Sequence, residues 1–393
     1  MTYYRRVGEV PPKRHTVHRG ADGERRPEEL MGTNGFSGAS SLLYHRRSPS
    51  ALLEVVPMDD DRAPLRDHHP AVPRHLRTGD LPTAGTDLAA GRHVLCGNDD
   101  VVLALATATP ATGSDAGPAL HRNAAGDELV FVHEGSATLE SVFGALEVGA
   151  GDYVVVPAGT THRWVVTTPV RALVLEAAGH VAPPRRYLTP GGQFAEHAPY
   201  AERDQRAPAT PLVVDDDGPS EVVVRTRTGV SLHRYAHHPF DVVGWDGCLY
   251  PWALSIHDFE PIVGSLHQPP PVHQTFEGPG FVVCSFVPRP FDFHPDAVKV
   301  PYHHANVDSD EVLFYVAGDF MSRAGSGIGI GSITLHPAGF VHGPQPGSWE
   351  RSVDQDRTEE TAVMVDTFRP LRLGAAADQV DAPDYLRSWA PRS

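Results

Sequence analysis

Cysteine is scarce in this chain: three occur, Cys96, Cys248 and Cys284, and no two of them form a Cys-x-x-Cys pair. An odd, widely spaced set argues against a disulfide framework. It also argues against a zinc or iron–sulfur site built from thiolates, because such sites draw on clustered cysteines. The search for chemistry therefore turns to other side chains.

Basic charge and long apolar runs are lacking as well. The formal net charge is −16 with no long basic run, which disfavours binding to phosphate backbones or anionic membranes. No stretch approaches the ~20 apolar residues that span a bilayer, and residues 1–20 have no apolar core of the kind a secretory signal needs. We therefore expect a cytoplasmic protein that binds neither nucleic acid nor membrane.

Histidine, glycine and proline are plentiful, at 23, 37 and 37 residues. Glycine and proline separate short runs rich in Val, Leu and Phe, such as LVFVHEG at 129–135 and DYVVVPAG at 152–159. Strand after strand without intervening helices predicts an all-β antiparallel sandwich or barrel. The many histidines point to metal chemistry.

Two composite motifs each occur twice. HRNAAGDELVFVHEG at 121–135 and HANVDSDEVLFYVAG at 304–318 share the frame His-x-Asn-x3-Asp-Glu-x6-Gly. GDYVVVPAGTTH at 151–162 and GSITLHPAGFVH at 331–342 share Gly-x5-Pro-x-Gly-x2-His. The second copies begin 183 residues (304 against 121) and 180 residues (331 against 151) after the first. Two patterns recurring at nearly one spacing indicate an internal duplication.

Each repeat supplies two histidines and one glutamate at equivalent positions: His121, Glu128 and His162 in the first, His304, Glu311 and His342 in the second. Two neutral imidazoles and one carboxylate occupy one face of an octahedron and leave three positions open. That arrangement suits Fe(II) and lets substrate and O2 bind side by side. The sequence alone thus permits a metal in each half.

The paired motifs resemble those of the cupin superfamily, small jelly-roll barrels with a metal inside. This resemblance implies two cupin barrels of the double-stranded β-helix type, related by the duplication. Many cupins carry a second histidine two residues after the first, where this chain has Asn123 and Asn306. The departure favours a three-ligand site over a four-ligand manganese or nickel site.

The surroundings favour the second repeat as the working metal site. Four further histidines lie in its half, namely His267, His273, His303 and His336, whereas Arg163 directly follows His162 in the first repeat. We therefore predict that His304, Glu311 and His342 bind the metal. The first triad is interpreted as a remnant of the duplication in a structural barrel, with a second metal site as the alternative.

The second half also resembles a narrower group, the homogentisate 1,2-dioxygenase family, over about residues 235–370. The resemblance rests on GWDGCLYPWALSIHDFEPIVGSLHQPPPVHQTFEGPGFVVCSFVPR at 244–289, VPYHHANVDSDE at 300–311 and SITLHPAGFVHGPQPG at 332–347. It implies Fe(II) as the cofactor and a homo-oligomer. The implied reaction opens an aromatic ring bearing para hydroxyls and incorporates both atoms of O2 without an external reductant.

The same resemblance implies roles for residues around the triad. His267 matches the family's active-site histidine, and a neutral imidazole near pH 7 suits the removal of a phenolic proton. Tyr302 matches an aromatic residue that lines the pocket, and His336 a histidine behind the metal ligands. Phe320 stands where the family usually has tyrosine, and His273 where it commonly has an apolar residue. These departures leave homogentisate or a related hydroquinone-type aromatic as the expected substrate.

Two other functional classes stay open. One is a different metal-dependent bicupin enzyme, such as a gentisate-type dioxygenase, a decarboxylase or an isomerase. The other is a non-catalytic bicupin, which is disfavoured because storage cupins tend to lose the ligands that this chain keeps at His304, Glu311 and His342.

Changes in composition divide the chain into five predicted segments. Residues 1–85 form an N-terminal arm with wrapping segments, 86–185 a structural N-terminal cupin and 186–235 a connector. Residues 236–372 form the catalytic C-terminal cupin, and 373–393 a tail.

Overall fold

The structure, a computed structural model, describes residues 3–60, 62–112, 118–323 and 325–390. The ends of the predicted arm and tail, 1–2 and 391–393, lie outside these ranges. Strands make up most of the regular structure in the described ranges, and the two α-helices there are short. The longer of the two has six residues, and no helix in the described ranges could cross a membrane.

The strands of the first half are β1 (Arg5–Gly8), β2 (Glu28–Gly32), β3 (Ser40–His45), β4 (Leu52–Met58), β5 (Arg74–Arg77), β6 (Arg92–Gly97), β7 (Val101–Ala108), β8 (Leu120–Asn123), β9 (Glu128–Ser141), β10 (Gly144–Gly149), β11 (Asp152–Val156) and β12 (Thr161–Ala177). Those that follow are β13 (Gln205–Arg206), β14 (Ser220–Thr226), β15 (Gly229–Tyr235), β16 (Val242–Gly247), β17 (Trp252–Ser255), β18 (Gln274–Gly278), β19 (Phe281–Phe286), β20 (Arg289–Pro290), β21 (Asp310–Ala317), β22 (Ser332–His336), β23 (Arg357–Thr358), β24 (Thr361–Thr367) and β25 (Arg372–Leu373).

The helices are single turns or little more. The α-helices are α1 (Ser348–Ser352) and α2 (Ala375–Val380). The 3-10 helices are Asn34–Phe36, Thr78–Asp80, Arg185–Tyr187, Glu202–Asp204, Ile256–Asp258, Pro270–His273, Met321–Arg323 and Pro383–Arg387.

Two large sheets carry the two sequence repeats. The first runs β13-β17-β11-β9-β12-β8-β14-β15-β4, with β10 beside β9 and β25-β6-β7 joined to β12. The second runs β18-β19-β24-β21-β22-β5. Smaller sheets contain β1-β16-β3-β2 and β20-β23. The predicted all-β fold of the double-stranded β-helix type is confirmed.

The duplication is visible in the strand register. His121 lies opposite His162 where β8 meets β12, and His304 lies opposite His342 in an isolated antiparallel bridge. In both halves the strand that carries the glutamate lies between two others in the sheet, β9 between β11 and β12, and β21 between β22 and β24. The three candidate ligands of each repeat therefore come from equivalent positions at one end of a sheet.

The final glycine of the Glu-x6-Gly frame is required by the backbone. Gly135 and Gly318 have φ of 81° and 99°, a region that side chains rarely adopt. An added Cβ would stand 2.0 Å from the Pro169 carbonyl oxygen in one repeat and 2.2 Å from the Glu359 oxygen in the other. Gly318 directly follows the last residue of β21, whereas Gly135 lies within β9, where the register with β12 shifts.

Strands from each part of the chain complete the sheets of the other. β5, from the predicted N-terminal arm, pairs with β22 in the second sheet. β17, from the predicted C-terminal cupin, pairs with β11 in the first sheet. The five predicted segments remain a prediction, and the sheets run across their boundaries.

A single apolar core runs between the two sheets. Phe131 of β9 contacts Phe314 of β21 edge-on, with ring centroids 6.3 Å apart. Tyr153 of β11 packs on Phe276 of β18, and its hydroxyl lies 2.8 Å from the Ser285 hydroxyl. Because these rings are buried from both sides, the core holds the two repeats in fixed register.

Candidate metal centre

His304, Glu311 and His342 meet at one end of the second sheet. Glu311 is the second residue of β21, and the two histidines exchange backbone hydrogen bonds of 2.9 Å. One ligand atom from each residue lies within 4.8 Å of the others, and among the described residues this is the one such group of histidine, cysteine and carboxylate side chains. The structure thus brings the predicted triad together.

The tautomers of both histidines follow from their backbone contacts. The Nδ1 of His304 lies 3.1 Å from the Tyr302 carbonyl oxygen, and that of His342 lies 3.0 Å from the Phe340 oxygen. A carbonyl only accepts, so each Nδ1–H donates and each Nε2 keeps its lone pair. These Nε2 atoms lie 3.6 Å and 3.3 Å from the carboxylate oxygens of Glu311.

Acceptor atoms therefore converge on one point with no proton between them. The Nε2 of His342 is buried and makes no hydrogen bond within the described part of the chain. Burial alone would raise the pKa of Glu311, but the contacts with His304, His336 and His342 hold that pKa well below its usual range. An ionised carboxylate and two imidazole lone pairs facing each other fit a divalent cation.

His336 supports the triad from behind. It is fully buried, stacks on His342 with ring centroids 4.0 Å apart, and its Nδ1 lies 3.0 Å from Glu311 Oε1. Its Nε2 lies 3.0 Å from the Tyr385 hydroxyl. Burial lowers the pKa of His336 to about 4, so its ring is neutral at pH 7. This position behind the ligands is the one the sequence analysis expected.

A cavity of about 410 Å³ opens onto the triad. His267, Tyr302 and His273 all line it, as the sequence analysis expected. His267 is half exposed, lies edge-on to Tyr302 with centroids 5.1 Å apart, and its Nδ1 lies 3.3 Å from Asp292 Oδ2. His273 packs on Phe286, and burial lowers the pKa of His273 to about 3, which keeps its ring neutral.

Phe320 does not line the cavity. It has a positive φ of 42°, and its ring packs edge-on against Tyr315 in an apolar cluster with Leu313 and Met364. Leu313 and Met364 line the cavity, so Phe320 lies one layer behind the wall. Of the two positions that the resemblance allowed, contact with substrate or a place behind the pocket wall, the structure places Phe320 at the second, because the backbone after Gly318 turns its ring inward.

Two further polar residues of the cavity wall were not singled out as site residues. Asp366 on β24 lies directly across from Glu311, and burial, together with the Glu311 charge, raises the pKa of Asp366 to about 7. Arg289 on β20 donates an N–H to the Val287 oxygen at 3.0 Å and lies over the Phe286 ring. A lone acid inside the apolar run TAVMVDT was the available signal for Asp366.

The first triad lies in a different electrostatic setting. Arg92, the first residue of β6, donates two N–H groups to Glu128 at 3.1 and 2.7 Å and also bonds Glu176. Asn123 donates to the same carboxylate at 3.0 Å, and His121 contacts Asp87. Burial favours the neutral carboxyl, but Arg92 prevails and holds the pKa of Glu128 far below its usual range.

A guanidinium therefore takes the charge-balancing position that a metal would need at Glu128. This contact argues against the alternative of a second metal site at His121, Glu128 and His162, which stays a prediction. Sequence reasoning missed it because Arg92 precedes Glu128 by 36 residues and reaches it only through the pairing of β6, β7 and β12.

Comparisons with known proteins identify the family of this chain. The family model "Homogentisate 1,2-dioxygenase N-terminal" matches residues 36–256, more than half of the chain. A Saccharolobus solfataricus protein described as "Putative dioxygenase SSO1533" is 40% identical over 395 residues, covering 99% of each chain.

The names of more distant relatives include a substrate. The homogentisate 1,2-dioxygenases of Emericella nidulans and Nitrobacter hamburgensis are 27% and 26% identical to this chain and cover 72% and 68% of it. These matches span 65% and 62% of the two enzymes' own lengths, less than two thirds. Among solved structures, the Cupin 2 conserved barrel domain protein of Leptotrichia buccalis covers 76% of this chain and 97% of its own, at 8% identity and a TM-score of 0.35.

Proposed function

This chain belongs to the homogentisate 1,2-dioxygenase family, and from that premise we propose that it is an Fe(II)-dependent ring-cleaving dioxygenase. Its proposed substrate is homogentisate or a related hydroquinone-type aromatic, with both atoms of O2 incorporated. The observation that carries the proposal is the convergence of His304, Glu311 and His342 at the end of a 410 Å³ cavity.

The proposed ligands would hold Fe(II) through two imidazole nitrogens and one carboxylate. Bound there, the metal would supply adjacent positions for a phenolate and O2 and stabilise the developing charge. The cavity is of the right order for a single aromatic ring with a short side chain. Leu313 and Met364 form an apolar wall of this cavity, beside the polar end at which the triad lies.

His267 is the proposed acceptor of the substrate's phenolic proton. Its Nδ1 lies 3.3 Å from Asp292 Oδ2, and a carboxylate at that distance favours the tautomer with the proton on Nδ1. The Nε2 lone pair would then be available to a hydroxyl in the cavity. Tyr302 packs against the same ring and would limit where the substrate hydroxyl can lie.

Arg289 is the proposed partner for a substrate carboxylate. Both Arg289 and Arg323 line the cavity, but Arg323 is committed to the Tyr315 hydroxyl at 3.0 Å and the Gly343 oxygen at 2.5 Å. Arg289 makes one backbone contact, to Val287, and has further N–H groups to offer. Removing its charge should therefore raise KM for an acidic hydroquinone and leave KM for plain hydroquinone unchanged.

Oxygen uptake by the anaerobically purified, Fe(II)-loaded protein tests the proposal. Homogentisate, gentisate and hydroquinone would be compared at equal concentrations, with the metal-free protein as control. Uptake with one of them identifies the substrate, and His267→Gln should then lower kcat by roughly 10²–10⁴-fold. No uptake with any of the three would sink the dioxygenase proposal and favour a decarboxylase or isomerase.

A cytoplasmic location and a homo-oligomeric state stay predictions from the sequence and the family. The chain's net charge of −16 agrees with the expectation that it does not bind nucleic acid.

A further inference from the structure

The last described segment, Pro383–Ala390, packs against the back of the metal centre, and we call it the C-terminal clasp. Tyr385 within it is 3% exposed, and its ring contacts those of His336 and Trp389 at centroid distances of 6.0 and 5.0 Å. The sequence analysis treated this segment as a tail. We propose that Tyr385 is a positioning residue whose hydroxyl fixes the tautomer of His336 and thereby the orientation of Glu311.

The direction of each hydrogen bond follows from what the groups can donate. Glu311 is ionised and can only accept, so the Nδ1 of His336 at 3.0 Å must carry the proton. A neutral imidazole has one N–H, and the Nε2 of His336 is therefore an acceptor. The Tyr385 O–H, 3.0 Å away, donates to it. The relay runs in one direction, from the Tyr385 hydroxyl through His336 to the carboxylate of Glu311.

The clasp also contacts the chain just after the second histidine of the triad. The indole N–H of Trp389 donates to the Gly343 oxygen at 3.1 Å, and Gly343 directly follows His342. Gln345 donates to the Ser388 hydroxyl at 2.9 Å. The clasp therefore reaches the carboxylate ligand through His336, and it contacts the residues after His342 at the Gly343 backbone and the Gln345 side chain.

Loss of the Tyr385 hydroxyl has a specific consequence for the triad. His336 has 0% exposure, so water does not reach its Nε2 in place of the hydroxyl. The unsatisfied lone pair favours the other tautomer, which places the proton on Nε2 and turns a bare Nδ1 toward Glu311 Oε1. Two acceptors would then face each other at 3.0 Å, and the carboxylate would rotate away from the point where the three ligands converge.

Metal affinity without substrate tests this role, which rests on the proposed metal centre. Fe(II) would be titrated anaerobically against a coloured chelator in wild type, Tyr385→Phe and His336→Gln. We expect Tyr385→Phe to weaken binding roughly 3- to 10-fold, the range of one buried hydrogen bond. His336→Gln should weaken it more, roughly 10- to 100-fold. The absorption bands of Co(II)-loaded Tyr385→Phe should shift as the carboxylate changes its binding geometry.

Tyr235→Phe is the matched control. Its side chain is likewise buried, but its hydroxyl accepts a hydrogen bond from Arg122 at 2.8 Å, and Arg122 directly follows His121 of the first triad. Equal loss of Fe(II) affinity in Tyr235→Phe and Tyr385→Phe would overturn the positioning role, as would wild-type affinity in Tyr385→Phe. Should Tyr385→Phe fold poorly, Trp389→Phe tests the same clasp. We expect this variant to bind Fe(II) about 3-fold or more weakly than wild type. Wild-type Fe(II) affinity in Trp389→Phe would refute the proposal. Wild-type protein that binds Fe(II) but consumes no O2 would count against the proposed reaction alone.

Discussion

Replacement of Arg92 by methionine tests our expectation that the arginine charge keeps metal away from the first triad. Arg92 is the cation between two buried carboxylates, and its side chain and those of Glu128 and Glu176 are 6%, 5% and 9% exposed. Methionine keeps much of the apolar stem and removes the charge. Breaking a buried ion pair from one side costs about 3–5 kcal/mol, because the remaining charge stays buried. Because Arg62 also bonds Glu176 and would still neutralise it, the loss of unfolding free energy should lie near the lower figure.

The pH dependence of that loss gives a signature that simple packing damage would not. In wild type the pKa of Glu128 is depressed below its unfolded value of about 4.3. The contribution of Glu128 to the free energy of unfolding is therefore complete above that unfolded value and is lost as pH falls below it. In Arg92→Met the buried Glu128 carboxyl has no cation beside it, so its pKa rises above the unfolded value. The free energy of unfolding then falls as pH rises from the unfolded pKa to the raised folded pKa. Wild type should therefore begin to lose stability only between pH 5 and pH 4, whereas the variant should gain stability as pH falls from 7 to 4.

Urea unfolding at pH 7, 6, 5 and 4, in chelator-treated protein, measures both effects. Arg163→Met is the control in the same barrel, because Arg163 pairs with Glu140 at 2.6 Å but both side chains are about one-fifth exposed. That control should lose about 1 kcal/mol or less. A loss below about 1 kcal/mol for Arg92→Met, or a pH slope of the wild-type sign, would refute the account. Co(II) added to Arg92→Met should raise its stability and bind with a second equivalent per chain.

Three further predictions concern other sites. His342→Ala should abolish Fe(II) retention, while His162→Ala should leave it unchanged; equal losses measured by metal analysis would mean that the wrong triad was chosen. His45 lies between Asp241 at 2.7 Å and Glu29, and although burial opposes its charge, these acids raise the pKa of His45 to about 9. His45→Gln should therefore cost unfolding free energy in full below pH 6.5, with the deficit shrinking as pH rises through 9, and a pH-independent deficit would contradict the assignment. Phe320→Tyr should lower the free energy of unfolding by about 1–3 kcal/mol through its buried hydroxyl and leave KM unchanged, and an altered KM would show that the ring reaches the substrate.

The sequence was informative wherever one motif fixed a local geometry. The repeated frames predicted the duplication, the all-β fold and the meeting of His304, Glu311 and His342, because each frame spans one strand and its turn. Gly318 explains this success, since its positive φ sets where β21 ends relative to the glutamate. Spacing within a motif thus carries three-dimensional information over about ten residues.

Residues outside the motifs were missed for a topological reason. Arg92 and Tyr385 reach their partners through strand pairing and tail packing, across 36 residues to Glu128 and 49 residues to His336. Neither residue has a local pattern that distinguishes it from a surface arginine or a tail tyrosine. Phe320 is the opposite case, because the resemblance gave its place in the motif but not the apolar cluster into which the local turn directs its ring.

The pairing of β5 with β22 has a consequence for how the protein is made. Residues 74–77 leave the ribosome early, and their partner, residues 332–336, follows only after most of the chain has been synthesised. Until then the edge of β5 has no strand beside it, and the first sheet lacks β17 until residues 252–255 arrive. The second sheet is therefore completed last although one of its strands is synthesised first, and the first sheet waits for residues 252–255.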